Sequence, residues 1–191
     1  MLAGTYDLKL YSSDWHHAYE HGHRPGGVPA GWYDLSMDDR WLRPSAQALA
    51  ERDIASWTTR FRFVVEDVLL LPAGRPIIVE GPTTLPWCVA EVIRSPRQAV
   101  FLLPTPEFRD GVLSRRHRDA PGGEIAARTS DLQRARRNIA ERDALMAPRI
   151  AASCAELGLR CERVDGSLDL DDSVSLLVDH FRPHLPTTLN V

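Results

Sequence analysis

The stretch Pro76-Ile77-Ile78-Val79-Glu80-Gly81 limits the fold more than any other part of the chain. A short run of apolar, mostly β-branched residues between a proline and a Gly-Pro pair predicts a strand covered on both faces, as strands of parallel sheets are. In such sheets function collects at the carboxyl ends of strands, and this run delivers Glu80 there. A second apolar run, Gln98 to Leu103, follows after one helix-length segment, which predicts a βαβ unit. The plainer alternative is that Glu80 only caps or pairs at a strand end.

The same alternation extends in both directions. Upstream, Leu8-Lys9-Leu10-Tyr11-Ser12-Ser13 reads as a strand ending at a second carboxylate, Asp14. Residues 24 to 36 are rich in turn formers and read as a loop. Pro44-Ser45 then opens a long helix to about Leu71, capped by Ser45 and striped by Leu49, Ile54, Trp57, Phe61, Val64, Val65 and Val68. Glu51, Arg52, Arg60, Arg62 and Glu66 are assigned to its solvated face. After Glu80 a short helix, about Leu85 to Ile93, crosses to the strand ending at Leu103.

Thr105-Pro106-Glu107 starts a helix bearing Arg109, Arg115 and Arg116. The glycine-containing segment that follows, with Arg118 and Arg128 on its rim, reads as a lid spanning about residues 115–129. The alternative is a solvated charged face. Ser130-x-x-Gln133 matches a capping box and opens a helix to about Leu157, striped by Leu132, Ala135, Ile139, Met146, Ile150, Cys154 and Leu157. Gly158 closes it, and Pro148 is expected to kink or split it. A short strand at Arg160 to Val164, a turn at Asp165-Gly166 and a final helix capped by Ser167 or Asp169 complete the pattern. The expectation is a single α/β domain over residues 1–191, with a parallel sheet in three layers and helices on both faces.

Charge and cysteine usage narrow the function. A net charge of −3 over 191 residues offers no global attraction to nucleic acid or an anionic membrane. No run approaches the ~18 apolar residues of a spanning helix, so a cytoplasmic location is expected. Cys88, Cys154 and Cys161 lack CxxC spacing and read as core or incidental thiols. Four of the seven histidines, His16, His17, His21 and His23, cluster after the first strand. On a helix His17 and His21 would share a face, with Asp14 and Glu20 as oxygen donors, so a metal site is one reading of this cluster.

The order of strand to Asp14, long helix, apolar strand to Glu80-Gly81, strand to Leu103, arginine-bearing segment and strand to Asp165-Gly166-Ser167 resembles the nucleotide and shikimate kinase branch of the P-loop fold. The resemblance implies an ATP-dependent, Mg2+-dependent phosphotransferase acting on a small molecule. It implies that Asp14 contacts the acceptor and that Glu80 occupies the Walker B place, acting through the magnesium shell. Arg109, Arg115, Arg116 and Arg128 would clamp phosphate, and Asp165, Gly166 and Ser167 would border the nucleotide. No GxxxxGK followed by Ser or Thr is present, so the central strand and phosphate loop of that fold have no counterpart here. Two apolar strand edges should then stand unpaired or be forced together. A non-catalytic binding module, or a metal-dependent enzyme built on His16 to His23, are the alternative functions.

Overall fold

The computed structural model describes residues 1–119 and 125–186 of the 191-residue chain. A single turn, α1 (Leu2–Thr5), leads into β1 (Lys9–Ser12) and α2 (Ser13–Tyr19). A 3-10 turn at His21–His23 and a loop containing a second, Trp32–Asp34, follow. Then come α3 (Met37–Trp41), α4 (Ala46–Leu70), β2 (Ile77–Glu80) and α5 (Pro86–Val89). The chain continues through β3 (Val100–Pro104), α6 (Pro106–Asp119), α7 (Leu132–Glu156), β4 (Arg160–Val164) and α8 (Leu170–Phe181). Among the described residues no helix is long and apolar enough to cross a membrane.

Local chemistry accounts for most boundaries. Ser45 Oγ accepts from Ala48 N–H and caps α4, and Asp169 Oδ1 accepts from Asp172 N–H and caps α8. Thr105 Oγ1 accepts from Phe108 N–H at the start of α6. The start of α7 departs from expectation. Asp131, not Ser130, is its cap, accepting from Arg134 N–H at 3.0 Å. Ser130 is held by a distant partner instead, since its N–H and hydroxyl both donate to the Asp38 carboxylate. Pro148 lies inside α7, which continues through it as one element. Helix α6 runs to Asp119, so Arg115, Arg116 and Arg118 are helical and the expected lid loses its first residues. Arg128 ends a 3-10 turn, Ile125–Arg128, and Pro121, Gly122 and Gly123 lie outside the described residues.

Helix α7 is the spine of the core. Its stripe meets three apolar clusters in turn: Ala135 with Leu42 and Ala126, Met146 with Ala50 and Ile54, and Cys154 with Ala99 and Leu159. Burying these side chains at roughly 25 cal/mol per Å² of apolar surface is the main favourable contribution of each contact. Leu157, assigned to the stripe, is exposed beyond the last turn. Arg60, assigned to solvent, is buried. Its guanidinium donates to Gly27 O and to the His17 ring, which anchors the glycine-rich loop to α4.

The strands are parallel, as expected, but they form two separate pairs rather than one sheet: β1 with β2, and β3 with β4. The expected continuous three-layer sheet is absent among the described residues because no ladder joins β2 to β3. Between them lies an apolar slot of about 640 Å³, lined by Ile77 and Val79 of β2, Val100 and Phe101 of β3, and Val64 and Val68 of α4. The strand at Ile77 to Val79 is therefore half-buried instead of covered on both faces.

The ladder phases show which backbone groups face this slot. Lys9 N–H donates to Pro76 O at 2.9 Å, and Thr105 N–H to Val164 O at 2.8 Å. Parallel pairing engages alternate residues of each strand. Hence Ile77 and Val79 on β2, and Val100 and Leu102 on β3, turn their remaining polar groups away from their partners and toward the gap.

Candidate functional site

The register Ser12 opposite Glu80 brings the carboxyl ends of β1 and β2 side by side. Asp14 follows two residues later in the first turn of α2, where a carboxylate also complements the helix dipole. The two carboxylates are near enough to interact. Both residues are exposed to solvent; partial desolvation of the carboxyl, and then the charge of Glu80, push the Asp14 carboxyl above the ordinary aspartate range. Neither carboxylate is in an ion pair among the described residues, so the repulsion is screened by solvent and not by a protein cation.

Gly81 makes the close approach feasible. Its φ of 121° lies in the region that favours glycine, and a Cβ there would collide with Ser13 Oγ and stand 2.9 Å from Asp14 N. The hydroxyls of Ser13, against which the Gly81 turn packs, and of Thr83, two residues after Gly81, are fully buried and bond no group among the described residues. Two carboxylates, two unengaged hydroxyls and a glycine turn thus gather at one end of the parallel pair.

The arginines expected beside these carboxylates are placed elsewhere. Arg109 binds Asp143 of α7 at 2.6 Å and Asp110 at 3.1 Å, which makes it a tie between α6 and α7. Arg115, Arg116 and Arg118 are exposed on the last turns of α6, and Arg128 is exposed after its 3-10 turn. No ion pair joins any of them to Asp14 or Glu80 among the described residues. Asp165 accepts from Ser167 N–H at 2.9 Å, and Gly166, at φ 86°, lies against the Phe108 ring. This turn sits at the carboxyl end of β4, in the other sheet.

A second constellation surrounds Asp67, a residue of α4 to which sequence reasoning assigned no role. Asp67 Oδ2 accepts from Tyr11 Oη at 2.6 Å and pairs with His21 Nε2 at 2.9 Å, while Oδ1 accepts from Arg24 at 2.5 Å. Desolvation raises its carboxyl, but the hydrogen bonds from His21, Tyr11 and Arg24 outweigh it and hold the group below the ordinary range. Burial and the Asp67 carboxylate push the Tyr11 phenol up, and burial pushes the His21 imidazole down. The signal for Asp67 was available in the sequence as a lone acid among Phe63, Val64, Val68 and Leu71 at helical spacing.

The histidines divide by role. His17 and His21 do not share a helical face, because α2 ends at Tyr19 and His21 enters the next turn. His17 faces Arg60, and burial followed by that charge lowers its imidazole to about 4. His23 stacks on Tyr33 at 5.3 Å. His16 alone pairs with Glu20, at 2.6 Å, and stacks on Tyr11 at 4.2 Å. This face opens on a cavity of about 560 Å³ lined by Lys9, Tyr11, His16, Glu20, Arg24 and Asp67.

No protein-family model, curated protein or solved structure matches the chain.

Proposed function

We propose that residues 1–191 carry the acceptor side of an α/β phosphotransferase domain of the nucleotide and shikimate kinase type. The supporting observation is the convergence of Asp14 and Glu80 at the carboxyl ends of two paired parallel strands. Asp14 orients a hydroxyl of a small acceptor, and its raised carboxyl suits a group that accepts a proton. The paired negative charge fits a magnesium ion: Glu80 would stand in its outer shell, and the ion would supply charge neutralisation. The arginine segment and the Asp165 to Ser167 turn remain candidates for phosphate and nucleotide contacts.

The residues present do not fit the triphosphate. Lys9 is the sole lysine of the chain, and it donates to Pro72 O at 2.6 Å. Arg109 is neutralised by two aspartates. In this reading the strand and loop that cradle phosphate come from outside residues 1–191, and the slot between β2 and β3 is their place in the fold. No chemical step is assigned to ATP on these residues.

Calorimetry on the 191-residue protein tests the first part. Micromolar, magnesium-dependent ATP affinity needs about 8 kcal/mol, which scattered arginines should not supply, so binding weaker than this is expected. Micromolar binding would place the cradle within these residues and overturn the division. The second test reads the frame upstream of Met1 for a glycine-rich loop ending Gly-Lys-Ser or Gly-Lys-Thr and assays the longer protein. Phosphotransfer that drops at least ~100-fold in Asp14→Asn, with ATP binding retained, is the expected result. An unchanged rate would remove the role of Asp14. A frame without the loop would favour the non-catalytic binding module, for which the missing cradle is the specific observation.

A further inference from the structure

We infer that His16, Glu20 and Asp67 form a binding site for a divalent ion of the zinc to manganese range, with an open coordination position on the 560 Å³ cavity. Their donor atoms all lie within 4.8 Å of one another, although they come from three places in the chain: α2, the residue that ends it, and α4. Zinc holds nitrogen and oxygen donors at about 2.0–2.2 Å, which sets tetrahedral ligands roughly 3.4 Å apart, so His16 Nδ1 and Glu20 Oε2, now 2.6 Å apart, separate as the donors settle round the ion. One imidazole with two carboxylates suits borderline ions better than magnesium or calcium, which prefer oxygen alone. Three protein ligands leave a position for water or substrate.

The surroundings are built as an outer shell, the second observation beyond the donor cluster itself. Metal-ligating carboxylates and histidines are usually oriented by further hydrogen bonds and packing. Here the Tyr11 phenol and the wholly buried His21 both converge on Asp67 Oδ2, and Arg24 fixes Oδ1. The Tyr11 ring lies flat on His16, with an interplanar angle of 8°, and so sets the plane of the ligating imidazole. His21 spends its Nε2 on Asp67 while its buried Nδ1 bonds no group among the described residues. An imidazole so placed is explained by the need to position Asp67.

Glu20 and Asp67 carry two negative charges against the one positive charge of Arg24, so a dication takes the sum of these groups from −1 to +1, and an anion at the open position would neutralise it. Binding breaks the present His16 Nδ1 to Glu20 Oε2 hydrogen bond, and the proton on it is released to solvent or moves to His16 Nε2. Lys9 and Arg24 on the cavity wall would favour an anionic group at the open position. The assignment stands independently of the phosphotransferase reading, since it uses neither Asp14 nor Glu80.

The test uses the 191-residue protein with any affinity tag removed, titrated with zinc chloride by calorimetry and with cobalt(II) by visible absorption. One equivalent should bind with micromolar or tighter affinity, cobalt should show d–d bands of a low-coordinate site, and saturating zinc should raise Tm by several degrees. Glu20→Gln removes an exposed carboxylate and leaves the fold in place; it and His16→Gln should each weaken zinc binding by about 10-fold or more and reduce the Tm shift at a given zinc concentration. Failure to bind zinc at millimolar concentration would overturn the inference. So would binding that Glu20→Gln and His16→Gln leave intact, since the ion would then sit on other donors.

Discussion

At the scale of single residues, Gly81 carries the tightest constraint at the Asp14 and Glu80 corner. It is the only way for the chain to leave β2 at φ 121° while passing against Ser13 and the backbone of Asp14. Gly81→Ala should therefore lower stability by about 1–3 kcal/mol in urea denaturation, through both backbone strain and displacement of Ser13. Gly111, in α6, is the contrast, since a Cβ there would meet nothing within 4 Å. At that position alanine should stabilise by about 0.5–1 kcal/mol, because it lowers the entropy lost on folding. Equal responses at the two positions would show that the Gly81 corner is looser than its geometry.

At the scale of elements, ionic ties and one histidine dock helices that periodicity alone would leave free. Asp53 of α4 meets Arg142 of α7 at 2.7 Å, and Asp143 takes Arg109 from α6, so α7 is pinned on two sides by charge as well as by its stripe. On α8, buried His180 bonds Ala99 O at 2.7 Å and ties the helix to the residue before β3. Burial lowers the His180 imidazole; the Ala99 bond and Glu162 act in the opposite direction, and Arg160 and Arg97 add to the lowering. A histidine depressed in the folded state favours folding above its ordinary value of 6.5, and that contribution is lost as pH falls below it. Stability measured from pH 8 to 5 should thus decline below about 6.5, and less steeply in His180→Gln. Identical slopes in the two proteins would show that His180 does not contribute to the decline.

At the scale of the whole molecule, the gap between the two strand pairs is the dominant feature. An apolar slot bordered by two half-used strand edges leaves backbone groups without sheet partners, and such edges are sites of strand addition. Amide exchange gives the direct reading. Ile77 and Val79, whose amides face the slot, should exchange at least ~10-fold faster than Ile78, whose amide faces β1. Equal protection along β2 would mean that the slot is closed or filled in solution, and the division into two sheets would then be wrong.

The sequence by itself determined the four strands, the long helices and their order, whereas the short helix Met37–Trp41 and the 3-10 turns were not legible in it. Ser45, Asp169 and Gly158, and the stripe from Ala135 to Cys154, act within a few residues of where they stand, so caps, helix ends and apolar faces were legible without neighbours. The parallel sense of the strands was legible too, since helices alternate with them. Only the tertiary structure decided what depends on partners distant in sequence. Asp38 reaches across the chain to take Ser130 from its capping box, and Arg60 is drawn into the core by Gly27 and His17. Asp67, rather than a neighbouring histidine, completes the cluster with His16 and Glu20. The apolar pattern of β2 and β3 specifies that each edge wants a neighbour, but not which one. Local preference sets what a segment is, whereas pairing depends on the free energy of contacts between segments that the chain order does not place together.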